Sequence, residues 1–186
     1  MNLNRSISRL LVVAVAFAGL QSCSLFKRDP AKLEASADAA LASGDTSRAI
    51  KLLDGVVQSR RAAPERYAQM GGLYRSAGTI TGRLQSQKVL ELGLQRYPDH
   101  PSLWLELGKT HYAQTFYGDA ARCFHKVLRL APDNCEAKLY LGLDWFRKWK
   151  YMQTYREYLG KAAPYFRNVM ACDPGNPTGF YKLAFV

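Results

Sequence analysis

Three histidines, His100, His111 and His125, are the side chains best suited to transferring protons near neutral pH. His100 lies in a turn between Pro98 and Pro101, and the carboxylates are scattered, with no pair that the sequence places across a cleft. No GxSxG, P-loop or HExxH motif is present. The pattern predicts a protein that is not an enzyme, with no cofactor and no small-molecule substrate.

The four cysteines, Cys23, Cys123, Cys135 and Cys172, have no CxxC spacing. A structural zinc site needs two closely spaced pairs of Cys or His ligands. Cys123 and His125 form one such pair, but no second pair follows. The spacing therefore predicts no metal site.

An aromatic and basic stretch extends over residues 145–166, and Glu157 is its only acidic residue. Such a stretch is typical of a surface that contacts anionic lipid, glycan or a protein partner. The alternative is that Trp145 and Phe166 belong to a hydrophobic core, with the charges facing solvent. Both interpretations remain open at this point.

The amino terminus has the pattern of a secretion signal over residues 1–22. Arg5 and Arg9 precede an uncharged, almost wholly apolar run at residues 10–20. A membrane-spanning helix needs about 20 apolar residues, whereas a signal peptide needs about 7 to 15. The alternatives are an ordinary signal peptide with a chance cysteine and a buried helix of a cytoplasmic protein.

The apolar run ends in LQSC at residues 20–23. This segment resembles the lipobox of bacterial lipoproteins, which implies cleavage before Cys23 and a lipid on its sulfur. Residues 23–29 would then form a short lipidated tether. Ser24 follows in place of Asp, which in such lipoproteins implies the outer membrane, on its periplasmic side.

Net charge limits the choice of partner. The formal charge is +11, and removal of Arg5 and Arg9 leaves 24 basic against 15 acidic residues, or +9. This excess favours acidic partners or simply solubility. Nucleic acid is disfavoured, because an exported protein rarely meets it.

Helical periodicity is the strongest pattern in the chain. Its residues follow W-x₂-L-G-x₂-Y, A-x₃-F, P, with His111 in the tyrosine place, and they are Trp104, Leu107, Gly108, His111, Tyr112, Ala120, Phe124 and Pro132. This resembles the tetratricopeptide repeat, whose period is 34 residues. The resemblance implies an all-α fold, a right-handed α-solenoid of antiparallel helix pairs.

The resemblance covers residues 30–186. Related positions predict units at about 30–63, 64–100, 101–134 and 135–176, with a partial unit at 177–186. Prolines open four of them, at Pro30, Pro64, Pro101 and Pro177. The fourth unit holds eight extra residues. Because the last unit stops inside its first helix, we expect the gene to continue beyond Val186.

In the tetratricopeptide family, first helices line a concave groove that binds peptides. The resemblance implies a partner-binding groove formed by Lys109, Tyr112, Leu139, Leu143, Phe146, Arg147, Tyr181 and Phe185. Exposed apolar side chains of this kind commonly mark binding sites. The alternative is a tighter closure that buries them.

Two further expectations follow from the predicted units. Cys135 opens the first helix of unit four and Cys172 closes its second, so antiparallel packing could bring them within the 7 Å or so that a disulfide requires.

The function predicted is a membrane-anchored scaffold that binds a protein or peptide in the bacterial envelope, as in assembly of pili, secretion systems or outer-membrane proteins. The alternative is a recognition or regulatory module of an envelope enzyme, with the catalytic part beyond Val186 or in another chain.

Overall fold

The computed structural model describes residues 29–59, 62–152 and 156–184. The predicted signal peptide and Cys23 lie outside the described residues. Within them the chain forms helices and no strands, which confirms the all-α prediction. The helices are α1 (Pro30–Ala42), α2 (Thr46–Gln58), α3 (Pro64–Ser76), α4 (Ile80–Arg96), α5 (Pro101–Ala113), α6 (Tyr117–Leu130), α7 (Cys135–Met152), α8 (Arg156–Cys172) and α9 (Pro177–Leu183).

The chain divides into two compact units between Gly55 and Val56, within α2. In the first unit, the Asp45 carboxylate accepts a hydrogen bond from the Arg48 amide at 3.0 Å and so caps the start of α2. Leu53 is fully buried. A methyl group at Gly55 would lie 3.5 Å from Leu33, so α1 and α2 are in ordinary van der Waals contact there.

The second unit consists of three helix pairs followed by α9. The pairs are α3 with α4, α5 with α6, and α7 with α8, and each pair packs on the next. First helices of successive pairs, such as α3 and α5, also contact each other directly. This is the stacking of a solenoid of tetratricopeptide repeats. No helix of the described residues is long and apolar enough to cross a membrane.

In each pair of the second unit, a glycine of the first helix lies against a large side chain of the second helix. A Cβ atom added at Gly108 would lie 2.6 Å from the ring of Phe124, which is closer than real contacts allow. The absence of a side chain at this glycine is what allows the two helices to approach so closely. The three pairs are Gly71 with Leu90, Gly108 with Phe124, and Gly142 with Phe166.

Three of the turns between paired helices, those before α2, α4 and α6, each use a left-handed residue. Gly44 and Gly78, 34 residues apart, have φ angles of 73° and 70°. Thr115 takes the same conformation, with φ of 67°, in the turn between α5 and α6. A side chain with a Cβ is disfavoured there, so Thr115 carries backbone strain that the two glycines avoid.

Cys135 and Cys172 form a disulfide, and their Cα atoms lie 6.1 Å apart. The predicted pairing is therefore confirmed, because the start of α7 and the end of α8 meet at the same end of the pair. Cys123 is a free thiol buried between α5 and α6. Burial raises the pKa of that thiol to about 11.

Candidate partner-binding face

First helices of three successive pairs, α3, α5 and α7, contribute polar and aromatic side chains to one continuous surface, together with the start of α6. We call it the first-helix face. Its members are linked by the ion pairs and ring contacts described below, and they are Arg75, Glu106, Lys109, Tyr112, Tyr117, Glu136, Tyr140, Asp144, Arg147 and Lys148.

A chain of alternating charges crosses this face. Arg75 Nη2 of α3 lies 2.9 Å from Glu106 Oε2 of α5. Lys109 Nζ then lies 2.7 Å from Glu106 Oε1 and 2.6 Å from Glu136 Oε1 of α7. These ion pairs therefore join the three first helices, in addition to the packing of the hydrophobic core.

Lys109 is the centre of the charge chain, and only 10% of its side chain is exposed. Burial alone would lower the pKa of its ammonium group. Hydrogen bonds to Glu106 and Glu136 outweigh that effect, and the pKa is raised above its usual value. Lys109 therefore stays charged at every physiological pH.

Tyrosine rings continue the face beside the charges. Tyr112 packs edge-to-face against Tyr117 at 5.1 Å and against Tyr140 at 5.2 Å, measured between ring centroids. Tyr140 in turn stacks on the core residue Phe124 at 4.8 Å. Burial, together with the neighbouring Tyr117, raises the pKa of the Tyr112 hydroxyl to about 12. These rings form a rigid, partly exposed platform on the core.

The far end of the face is basic. The Arg147 guanidinium lies 3.7 Å from the centroid of the Tyr117 ring, a cation–π contact. It also bonds to Asp144 at 2.8 Å, as does Lys148. Asp144 is almost completely buried, so its single negative charge holds two cations at the edge of the tyrosine platform.

The structure brings only part of the predicted groove together. Lys109, Tyr112 and Arg147 all lie on the first-helix face. Leu139 and Leu143 are half-buried against a separate apolar cluster formed by α7 and α8. Phe146 belongs to the interior of that cluster, where it packs against Phe166 and is 8% exposed.

Two predicted groove residues cannot be placed on any surface. Tyr181 lies in α9, but its side chain is not among those described, and Phe185 lies outside the described residues. The observed face is consequently more charged, and less apolar, than the groove expected from the sequence.

Sequence reasoning missed the carboxylates Glu106 and Glu136 and the ring of Tyr140. Partners on this face are separated by 27 to 31 residues, as in Lys109 with Glu136 and Arg75 with Glu106. The offset between equivalent glycines is 37 residues from Gly71 to Gly108 and 34 from Gly108 to Gly142, so both separations are that offset less six or seven residues, or about two helical turns. A search for charge complementarity at this spacing would have found them.

The face holds no arrangement of nucleophile and base. His111 is half-buried beside Phe116 and His125 is exposed on α6, both away from the charge chain. Among the described residues, no group of three or more His, Cys, Asp or Glu side chains is placed to hold a metal ion. What the face can offer a ligand is paired charge and aromatic surface.

Comparison with known proteins agrees with this fold. The tetratricopeptide repeat family matches residues 101–134, which are the bounds predicted for the third unit. No curated protein sequence matches the chain.

Solved structures with similar folds include MamA of Desulfovibrio magneticus RS-1, with 21% identity, coverage of 81% of this chain and 78% of that chain, and a TM-score of 0.64. A MamA RS-1 double mutant has 22% identity, coverage of 84% and 83%, and a TM-score of 0.68. YrrB, described as a TPR protein with an unusual peptide-binding site, has 17% identity, coverage of 89% and 80%, and a TM-score of 0.64.

Proposed function

We propose that this chain is a non-catalytic scaffold of the bacterial cell envelope, acting in assembly of envelope components, that binds a protein or peptide partner on its first-helix face. The observation that carries the proposal is the charge chain from Arg75 to Glu136 beside the tyrosine platform. Its more exposed members, Glu136 and Arg75, can exchange their ion-pair partners for groups of a ligand. The peptide-binding site described for YrrB, which has a similar fold, supports the same use here.

The chemistry of the face defines the partner. Lys109 is almost fully enclosed by its two carboxylates, so it orients Glu106 and Glu136 rather than meeting a ligand itself. Glu136 is half-exposed and accepts from donors of a partner. Arg147 and the tyrosine platform fit an acidic or aromatic side chain further along the bound segment. A peptide with a basic and an acidic or aromatic residue satisfies both ends of the face.

The envelope location rests on two separate features. The LQSC segment at residues 20–23 supports a lipid on Cys23, with the folded part on the periplasmic side of the outer membrane. The disulfide between Cys135 and Cys172 supports an oxidising compartment, because such bonds rarely persist in a reducing cytosol. The two features are independent of each other.

The partner is tested by site-specific photo-crosslinking in cells. A photoreactive residue placed at Glu136 is expected to capture a discrete partner, whereas one at His125, exposed on α6, is not. The purified partner should then bind the Glu136→Lys variant at least tenfold more weakly, since a like charge would oppose its donors. Arg122→Glu, at an exposed position of α6, is the control and should bind as wild type does. Equal capture from both positions would contradict the assignment of the face.

The anchor is tested separately by cell fractionation. Wild type is expected in the membrane fraction and should incorporate a fatty-acid analogue, whereas Cys23→Ser should do neither. Ser24→Ala is the matched control, and it should behave as wild type. A Cys23→Ser protein that fractionates and migrates like wild type would refute lipidation.

A further inference from the structure

The α7–α8 pair is longer than the pairs before it, and the excess lies at one end. α7 has 18 residues where α5 has 13, and α8 has 17 where α6 has 14. Gly108 and Gly142 are both the eighth residue of their helices, so the five extra residues of α7 are all at its end. Phe124 and Phe166 are the eighth and eleventh, so the three extra residues of α8 are all at its start.

These additions account for the eight extra residues seen in the sequence, and they extend the pair beyond α5 and α6. At about 1.5 Å per helical residue, α7 continues roughly 7 Å further than α5. We call the described part of this extension, with its flanks at residues 145–152 and 156–161, the hairpin tip.

Large apolar side chains are exposed at the end of the hairpin tip. Tyr151 is 77% exposed and Met152 is 54% exposed. They are the last two residues of α7, so they lie at the furthest point of the helix from the disulfide. Adjacent aromatic and thioether side chains that are exposed on a projection, rather than in a groove, are typical of a surface that inserts into the interface of a lipid bilayer.

Basic residues flank these two side chains in the sequence. Lys150 precedes them on α7, Arg156 begins α8, and both are exposed. Glu157 is the only carboxylate of the hairpin tip, and it is paired with Lys161 at 3.3 Å. Asp144, the residue just before the tip, is buried and neutralised by Arg147 and Lys148. The exposed charge of the hairpin tip is therefore strongly positive.

An aromatic pair holds two of the cations in place. Trp145 stacks on Tyr158 with ring centroids 5.8 Å apart. Lys148 Nζ lies 4.2 Å, and Lys161 Nζ 5.1 Å, from the centroid of the Trp145 ring. Each of these lysines is thus held both by the Trp145 ring and by a carboxylate, Asp144 for Lys148 and Glu157 for Lys161.

We propose that the hairpin tip docks on the surface of an anionic phospholipid membrane. Tyr151 and Met152 enter the headgroup region, and Lys150 and Arg156 contact lipid phosphates on either side. Interfacial membrane sites combine these same elements: aromatic and apolar side chains at the boundary, with basic residues next to them. An acidic protein would match the charge but would leave the two projecting apolar side chains in water. The docking does not depend on a lipid at Cys23 or on a partner at the first-helix face.

The test measures co-sedimentation of the full chain, carrying Cys23→Ser, with lipid vesicles. Residues 1–28 are common to all variants, so differences between variants report on the hairpin tip. Binding to vesicles of phosphatidylcholine with one-third phosphatidylglycerol is expected to exceed binding to phosphatidylcholine alone. Reversing Lys150 and Arg156 to Glu should weaken partitioning at least tenfold, since each basic residue near an anionic surface contributes about fivefold.

The matched control reverses Arg122 and Arg129 of α6 to Glu, which changes the net charge by the same amount at another exposed site. It should bind as the parent does. Tyr151→Ser with Met152→Ser should also reduce binding, and a Tyr151→Trp variant should show additional quenching by brominated lipid. Equal losses in the control and the tip variants, or no preference for anionic vesicles, would overturn the proposal.

Discussion

Removing the disulfide gives the sharpest test of how the last complete pair is stabilised. In a Cys135→Ser/Cys172→Ser variant, the unfolded chain loses the closed loop set by a sequence separation of 37 residues. For a loop of that size, the entropy of the cross-linked chain corresponds to about 4 kcal/mol at 25 °C. Cys172 is exposed and Cys135 half-exposed, so serine at these positions adds no cost of burying a hydroxyl.

The assay is urea unfolding followed by circular dichroism. With a slope of about 2 kcal/mol per M, the loss of 4 kcal/mol lowers the midpoint by roughly 2 M. Hydrogen exchange should place the loss in α7 and α8, while α5 and α6 keep their protection.

Dithiothreitol provides the control, because it should lower the midpoint of wild type and leave that of the variant unchanged. A variant with the wild-type midpoint, or one that dithiothreitol destabilises equally, would show that loop closure does not stabilise this pair.

Three further predictions concern single positions. Gly108→Ala should lower the free energy of unfolding by about 1–3 kcal/mol, because its Cβ would meet the Phe124 ring. Gly160→Ala, at an exposed position of α8 where a Cβ would have no neighbour within 4 Å, should raise it by about 0.5–1 kcal/mol. Thr115→Gly should raise it by about 1 kcal/mol by relieving a left-handed backbone, and a thermal melt that shows no increase would contradict that strain. At pH 8, iodoacetamide should alkylate Cys123 at least about a hundredfold more slowly in the native protein than in urea, because the thiol pKa is raised by burial and the thiolate is the reactive form; mass spectrometry of the labelled peptide measures this rate.

The repeat pattern predicted the fold because its positions have direct steric roles. Gly108 and Phe124 must be in contact for the two helices to approach closely. This contact requires a small residue at one position and a large residue at the other, so the pattern is easy to recognise in the sequence. Prolines at helix starts are also local signals, since each acts within the first turn of its helix. The two cysteines could be paired because one opens and the other closes an antiparallel pair, which brings them to the same end. Features of this kind can be predicted from the sequence without knowledge of the tertiary structure.

The binding face was harder to predict, because it depends on the relative orientation and stagger of packed helices. Phe146 was expected on the groove, yet it lies one helical turn after Gly142 and so shares the side of α7 that packs against α8. Glu106 and Glu136 were not singled out, because their meeting with Lys109 depends on the stagger between α5 and α7. Position within a single repeat does not determine that stagger.

The disulfide also changes how the chain would respond to mechanical force. A pull applied on either side of the fourth pair passes from Cys135 to Cys172 through the sulfurs, without crossing the helices between them. Their contour length, about 130 Å at roughly 3.5 Å per extended residue, is therefore withheld from stretching. Under tension, the helix pairs before the disulfide could unfold one after another while the α7–α8 pair kept its length. The disulfide therefore limits how far the protein can extend between two points of attachment.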